Sequence, residues 1–162
     1  MRRSERGPYG LLRTDGHTDA LREIMSELLK MEGPRKAIAG MMSGLDIRYP
    51  LGEGHPLLGR RVPDLDLIAA SGPMRIYSLL QEARPVLLNL GEPGSLALAP
   101  WGERVKLCEA RYSGPWKLPV LGPVPAPRAV LIRPDGYAAW VGDGSRAGLD
   151  EALTDWCGPA AG

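Results

Sequence analysis

Five residues, Val86-Leu87-Leu88-Asn89-Leu90, sit between Pro85 and Gly91. They constrain the fold more than any other stretch. An apolar run this short, bounded by a proline and a glycine, is the pattern of a strand covered on both faces, because a strand exposed on one face alternates apolar with polar. Downstream, Ala129-Val130-Leu131-Ile132 and Tyr137-Ala138-Ala139-Trp140-Val141 flank Arg133-Pro134-Asp135-Gly136. Proline presets φ at the second turn position and glycine accepts a positive φ, so this reads as a hairpin. Asp64–Leu67 is expected to be a short strand, Met74–Gln81 a helix through Ile76, Leu79 and Leu80, and Val105–Ala110 a further strand. Ser145–Trp156 carries Leu149, Ala152, Leu153 and Trp156 at helical spacing. After residue 62 the order is therefore strand, helix, buried strand, strand, hairpin, helix. That order predicts an α/β fold: a thioredoxin-like domain with a central mixed sheet flanked by helices.

The N-terminal part has a different period. Leu21, Ile24, Met25, Leu28 and Leu29 follow the i, i+3, i+4, i+7, i+8 rule of one apolar helix stripe. Thr18 or Asp19 is placed to cap this helix, and Gly33-Pro34 to stop it. Pro34 suits the first turn of a second helix through Ile38, Met41 and Met42, which Gly44 ends. Two helices cannot close a core alone, so the five stripe residues are the candidate interface, with a second copy of the chain or another protein. The expected organisation is an irregular basic arm at 1–17, two helices at 18–44, a Gly/Pro-rich connector at 45–62 and the thioredoxin-like domain at 63–162.

Composition excludes several function classes. The net charge of +1 divides into 11 basic and 8 acidic groups over residues 1–62, and 9 and 11 over 63–162. A split of +3 against −2 gives no concentrated basic face for nucleic acid. Two cysteines and two histidines in 162 residues make no zinc-ligand cluster. There is no apolar run of the ~18 residues a membrane span needs, and no apolar stretch follows the N-terminal arginines as in a secretory signal. The chain reads as cytoplasmic.

Longer phrases point to a family. Ser43-Gly44-Leu45-Asp46-Ile47-Arg48-Tyr49 and Gly54-His55-Pro56-Leu57-Leu58-Gly59-Arg60-Arg61-Val62-Pro63-Asp64-Leu65 resemble the junction before the C-terminal domain of FAD-dependent aromatic hydroxylases. The likeness is to those of the p-hydroxybenzoate hydroxylase class that oxidise aromatic polyketides. Val86–Gly91 and Val130–Trp140 resemble the same tail, and residues 18–43 the last helices of the flavin domain. The resemblance implies a thioredoxin-like tail without redox cysteines and an activity, flavin-dependent aromatic monooxygenation, that needs FAD. This sequence has neither the G-x-G-x-x-G turn nor the later Gly-Asp motif that hold FAD in such enzymes; Gly52-Glu53-Gly54 is the nearest approach. FAD is therefore expected only on a partner, a flavin-binding hydroxylase chain.

Candidate chemistry on the chain itself is sparse. In a thiol-redox protein the loop Glu92–Leu98 would carry Cys-x-x-Cys; here it has no cysteine. Cys108 and Cys157 are expected to be structural. Pro127 is the candidate cis-proline, as thioredoxin folds place one before this strand. His55 is expected to pack or hydrogen-bond a loop, and Arg60-Arg61 to pair with Asp64 and Asp66 or grip a partner. The leading expectation is a non-catalytic protein acting by contact, as a homodimer or accessory subunit in aromatic polyketide tailoring. The alternatives are a monooxygenase component that contributes to hydroxylation or binds the polyketide, and a thiol-disulfide protein.

Overall fold

A computed structural model describes residues 16–160. The arm at 1–17 lies almost wholly outside them. The chain divides into two compact units, residues 1–43 and 44–162.

The first unit holds helices α1 (Gly16–Lys30) and α2 (Glu32–Ser43). Pro34 falls in the first turn of α2, where its missing N–H is not needed. Gly44, at φ +67°, turns the chain out of α2. Helix α1 begins two residues before Thr18, which is buried inside its first turn rather than placed as a cap. Ion pairs Asp19–Arg22 (2.9 Å), Glu27–Lys30 (2.6 Å) and Glu32–Lys36 (2.5 Å) run along the helix surfaces.

The second unit is built on a six-stranded mixed sheet. Its strands are β1 (Asp66–Ala69), β2 (Gly72–Arg75), β3 (Val86–Asn89), β4 (Lys106–Arg111), β7 (Ala129–Ile132) and β8 (Ala138–Gly142), in the order β2-β1-β4-β3-β7-β8. Only β3 and β4 run parallel, with Leu87 opposite Leu107, while β3 meets β7 antiparallel with Leu87 opposite Leu131. A separate hairpin joins β5 (Trp116–Leu118) to β6 (Gly122–Val124), and α3 (Leu149–Cys157) closes the chain. The mixed α/β class, the buried strand and the closing hairpin are as the sequence predicts.

Strand β3 shows why its pattern is continuous. Val86 and Leu88 pack on one side with Leu57, Val62, Ile76, Leu79 and Trp116. Leu87 packs on the other with Trp101, Leu131, Leu149 and Leu153. Both faces are covered, so all four residues are buried.

Several elements differ from the sequence reading. Residues 72–75 form a strand rather than the start of a helix, because Gly72 at φ +112° lets the chain reverse and pair Arg75 with Asp66. Ile76–Leu80 follows as one 3-10 segment that sinks Ile76 and Leu79 into the core. Helix α3 starts at Leu149 because Gly148, at φ +72°, is left-handed. Strands β3 and β4 are joined by a loop with a three-residue 3-10 turn, Ala99–Trp101. The peptide bond before Pro127 is trans, since no cis bond occurs among the described residues. The chain bends at Arg128, which donates its N–H to Gly142 O (3.0 Å) and accepts from Leu90 N–H (2.8 Å), so the pairing of β7 begins directly after the trans bond.

Residues 44–62 belong to the second unit and pack into its core. Leu57 and Val62 are fully buried, and Gly59 N–H donates to Ala138 O (2.9 Å). Gly59 is a required glycine: at φ +74°, an added Cβ would run into the Tyr49 carbonyl oxygen.

Candidate functional site

The end of β3 is where a redox loop would begin, and polar side chains fill it instead. Asn89, buried at the strand end, donates its amide to Glu92 O (3.0 Å) and Ser95 Oγ (3.2 Å), and its Oδ1 accepts from Gly91 N–H (3.0 Å). Glu109, in register beside Asn89 on β4, accepts from Gly94 N–H at 2.6 Å. These bonds occupy the loop's backbone groups, so the loop is held rather than free to present a nucleophile.

Neither thiol is activated. Cys108 is buried in β4 with its Sγ 3.9 Å from Met74 Sδ, and burial raises its thiol above the ordinary value. Burial raises Cys157 as well. A raised thiol is poorly ionised at neutral pH, the opposite of what disulfide exchange needs. Among the described residues no group of three or more His, Cys, Asp or Glu could hold a metal.

His55 pins a loop. Its Nδ1 accepts from Leu57 N–H (3.1 Å), which leaves the proton on Nε2 to donate to Pro125 O (3.0 Å). Arg60 and Arg61 do not pair with Asp64 or Asp66. Asp64 accepts from Arg75 at 2.9 Å and from Tyr77 N–H, which leaves it no role for the arginine pair. Arg61 lies over the Tyr137 ring (5.3 Å), and Arg60 reaches Asp46 O. The stacked cation that sequence reasoning missed is Arg133. Its guanidinium sits 4.2 Å from the Trp156 ring and 4.7 Å from Tyr49, tying the 44–62 segment and α3 to the β7–β8 turn. No spacing rule links three such distant residues.

Gly52-Glu53-Gly54 lies in a turn with no strand before it and no helix after it. A dinucleotide cradle needs both, so these residues do not fit FAD.

The α1 stripe is at the surface. Leu21 (47% exposed), Ile24 (58%), Leu28 (38%) and Leu29 (40%) are open, and Met25 is half-buried. On α2, Met41 and Met42 are open too. A cavity of about 680 Å³ lies along α1, lined by Ile24, Leu28 and Met31 with Glu23 and Glu27 at its edge.

Residues 55–160 match the family model of the aromatic-ring hydroxylase C-terminal region. The chain belongs to that family. It is 39% identical over 98% of its length to the 12-dehydrotetracycline 5-monooxygenase/anhydrotetracycline 6-monooxygenase of Streptomyces rimosus, covering 32% of that protein. It is 31% identical over 98% of its length to the dialkyldecalin synthase of Streptomyces rugosporus, covering 28% of it. In structure it resembles CabE, an aromatic hydroxylase from angucycline biosynthesis, with a TM-score of 0.79 and 42% identity over 93% of this chain and 31% of CabE. The chain thus spans about a third of the length of these relatives. No helix among the described residues is long and apolar enough to cross a membrane.

Proposed function

We propose that this hydroxylase C-terminal region works by protein contact: its α1 stripe docks on a flavin-binding hydroxylase region, in the tailoring of aromatic polyketides. The flavin-binding region holds the FAD and the reacting substrate, whether it is joined in one polypeptide or supplied by another. The observation that carries this reading is the open stripe Leu21, Ile24, Leu28 and Leu29, a contiguous apolar surface of the kind that marks interaction sites. The range of relatives supports it. The same tail occurs in a protein named a monooxygenase and in one named a dialkyldecalin synthase, so what the tail supplies is common to different chemistries. A scaffold contact is common to both; a nucleophile or oxidant is not.

Two measurements test this. Titration of the chain with FAD should give no affinity tighter than about 1 μM, and NADPH should not be oxidised. Sedimentation of the chain with a flavin-binding hydroxylase chain should give a heterologous complex. Tight FAD binding by this chain alone refutes the division of labour. A complex that forms only between two copies of this chain refutes the flavin-binding partner and supports a homodimer.

A further inference from the structure

The helices concentrate the thioethers of this chain. Four of its six methionines, Met25, Met31, Met41 and Met42, fall between residues 25 and 42. Methionine is among the residues most often buried, yet Met31 is 58% exposed, Met41 63% and Met42 85%. Met25 is half-buried, and so is Met74 of β2, whose Sδ lies 3.9 Å from Cys108 Sγ against the core.

Exposure decides the chemistry of these sulfurs. A thiol must ionise before it attacks an oxidant, and burial holds both thiols protonated. A thioether carries its reactive lone pair at every pH, so what protects it is packing alone. The open thioethers stand on the helices, away from the sheet.

Met31 stands where oxidation would matter. It joins α1 to α2, its N–H donating to Leu28 O (3.1 Å) and its carbonyl accepting from Arg35 N–H (3.1 Å). Ile24, Leu28 and Met31 follow the i, i+4, i+7 spacing of one helix face and together line the cavity of about 680 Å³. Among the described residues lining it, the one side-chain donor is Lys30, which is bonded to Glu27 at 2.6 Å. A sulfoxide oxygen covered by a partner there would be a buried acceptor with no free donor.

We propose that Met31 is a sulfoxidation site: a hydroperoxide such as hydrogen peroxide oxidises its thioether, and the sulfoxide closes the α1 cavity to an apolar partner. A sulfur lone pair attacks one peroxide oxygen, and the S–O bond forms as the O–O bond breaks. The sulfur gives up an electron pair, and the departing hydroxide takes the remaining proton and leaves as water. The consequence for docking rests on the reading of the stripe as an interface; the oxidation itself does not.

The full chain is treated with hydrogen peroxide at pH 7 and mapped by peptide mass spectrometry. Met31, Met41 and Met42 should each gain one oxygen several-fold faster than Met74. Binding of the dye anilinonaphthalene sulfonate, which reads open apolar surface, follows the cavity, and sedimentation with a flavin-binding hydroxylase chain follows docking. Peroxide should weaken both by at least about tenfold in the parent. Each variant is compared with itself before and after treatment. Met31→Leu, which keeps the volume and has no sulfur, should lose no more than about twofold. Met41→Leu with Met42→Leu should lose as much as the parent. Met31→Gln should show the weakened binding without peroxide, with a melting temperature that shows it folded. Oxidation of Met31 no faster than that of Met74 overturns the proposal. So does a loss that persists in Met31→Leu, or an untreated chain that binds no dye. Dye results as expected from a chain that never sediments with its partner overturn the docking reading and leave the sulfoxidation site standing.

Discussion

Changing Leu21 and Leu28 together to aspartate separates a docking stripe from a structural one. Complete burial of a Leu or Ile side chain is worth about 1.5–3 kcal/mol. Leu21, Ile24, Leu28 and Leu29 are 38–58% exposed, so covering what remains is worth about 3–6 kcal/mol over the four positions. The double variant forfeits about half of that, and two carboxylates enclosed in the contact add a further penalty of about 1–3 kcal/mol. A total loss of about 3 kcal/mol or more weakens association at least about 100-fold. The fold itself should barely respond, because both positions are already open and each substitution there costs about 0.5 kcal/mol or less. Sedimentation with the flavin-binding chain reads the first quantity, and thermal melting of the isolated chain at low concentration reads the second. Unchanged association with an unchanged melting temperature refutes the docking reading. A melting temperature lowered by more than about 8 °C, with association intact, shows instead that the stripe supports the fold.

Three further outcomes follow from the second unit. Gly59→Ala should lower stability by about 2 kcal/mol or more in urea unfolding, since the Cβ meets the Tyr49 carbonyl at a left-handed φ; a neutral variant contradicts that close approach. Arg133→Met removes the cation–ring contacts to Trp156, Tyr49 and Tyr137, of which the nearer two are worth about 0.5–2 kcal/mol each, and should cost about 1–3 kcal/mol, whereas Asp135→Asn, which breaks only the turn ion pair that both variants lose, should cost under about 1 kcal/mol. Equal losses in the two variants refute the stack. Burial raises Cys108 and Cys157, so the native state holds both thiol protons more tightly than the unfolded chain; stability is full below the free-thiol value of about 8.5 and falls as pH rises past it. Iodoacetamide should accordingly label both slowly at pH 7 and rapidly in urea, and fast native labelling of Cys108 contradicts its burial.

What the sequence revealed and what it hid divide along a physical line. Val86–Asn89, the β7–β8 hairpin and α1 were legible because each is specified by its own period or turn residues, independent of distant neighbours. The turn Arg133-Pro134-Asp135-Gly136 closes with Gly136 N–H on Arg133 O (2.9 Å), as its residues alone require. Residues 74–81 misled because Ile76, Leu79 and Leu80 have helical spacing, while the β1–β2 pairing that claims Met74 and Arg75 is a tertiary contact. The β5–β6 hairpin was hidden in a Pro-rich stretch: Pro123 occupies a strand position opposite Lys117, where its missing N–H is tolerated in a two-stranded ribbon. That Glu92–Leu98 holds no cysteine was plain, but the bonds that Asn89 and Glu109 make to this loop were not, since those two residues meet only through strand register.

A reactive thiolate needs a helix N-terminus aimed at it, and the segment after β3 supplies only Ala99–Trp101, too short to carry an appreciable dipole. The face of β3 toward Leu87 is covered by Trp101 of this turn and by Leu149 and Leu153 of α3. Trp101 donates its indole N–H to Gly158 O (2.9 Å), and Arg104 donates to Cys157 O (2.7 Å), so this loop is fastened to the end of α3. The bonds that would have to loosen for a mobile active-site loop are thus the ones that join β3 to the closing helix. An arrangement of this kind favours a rigid platform, since the loop is fixed from both ends.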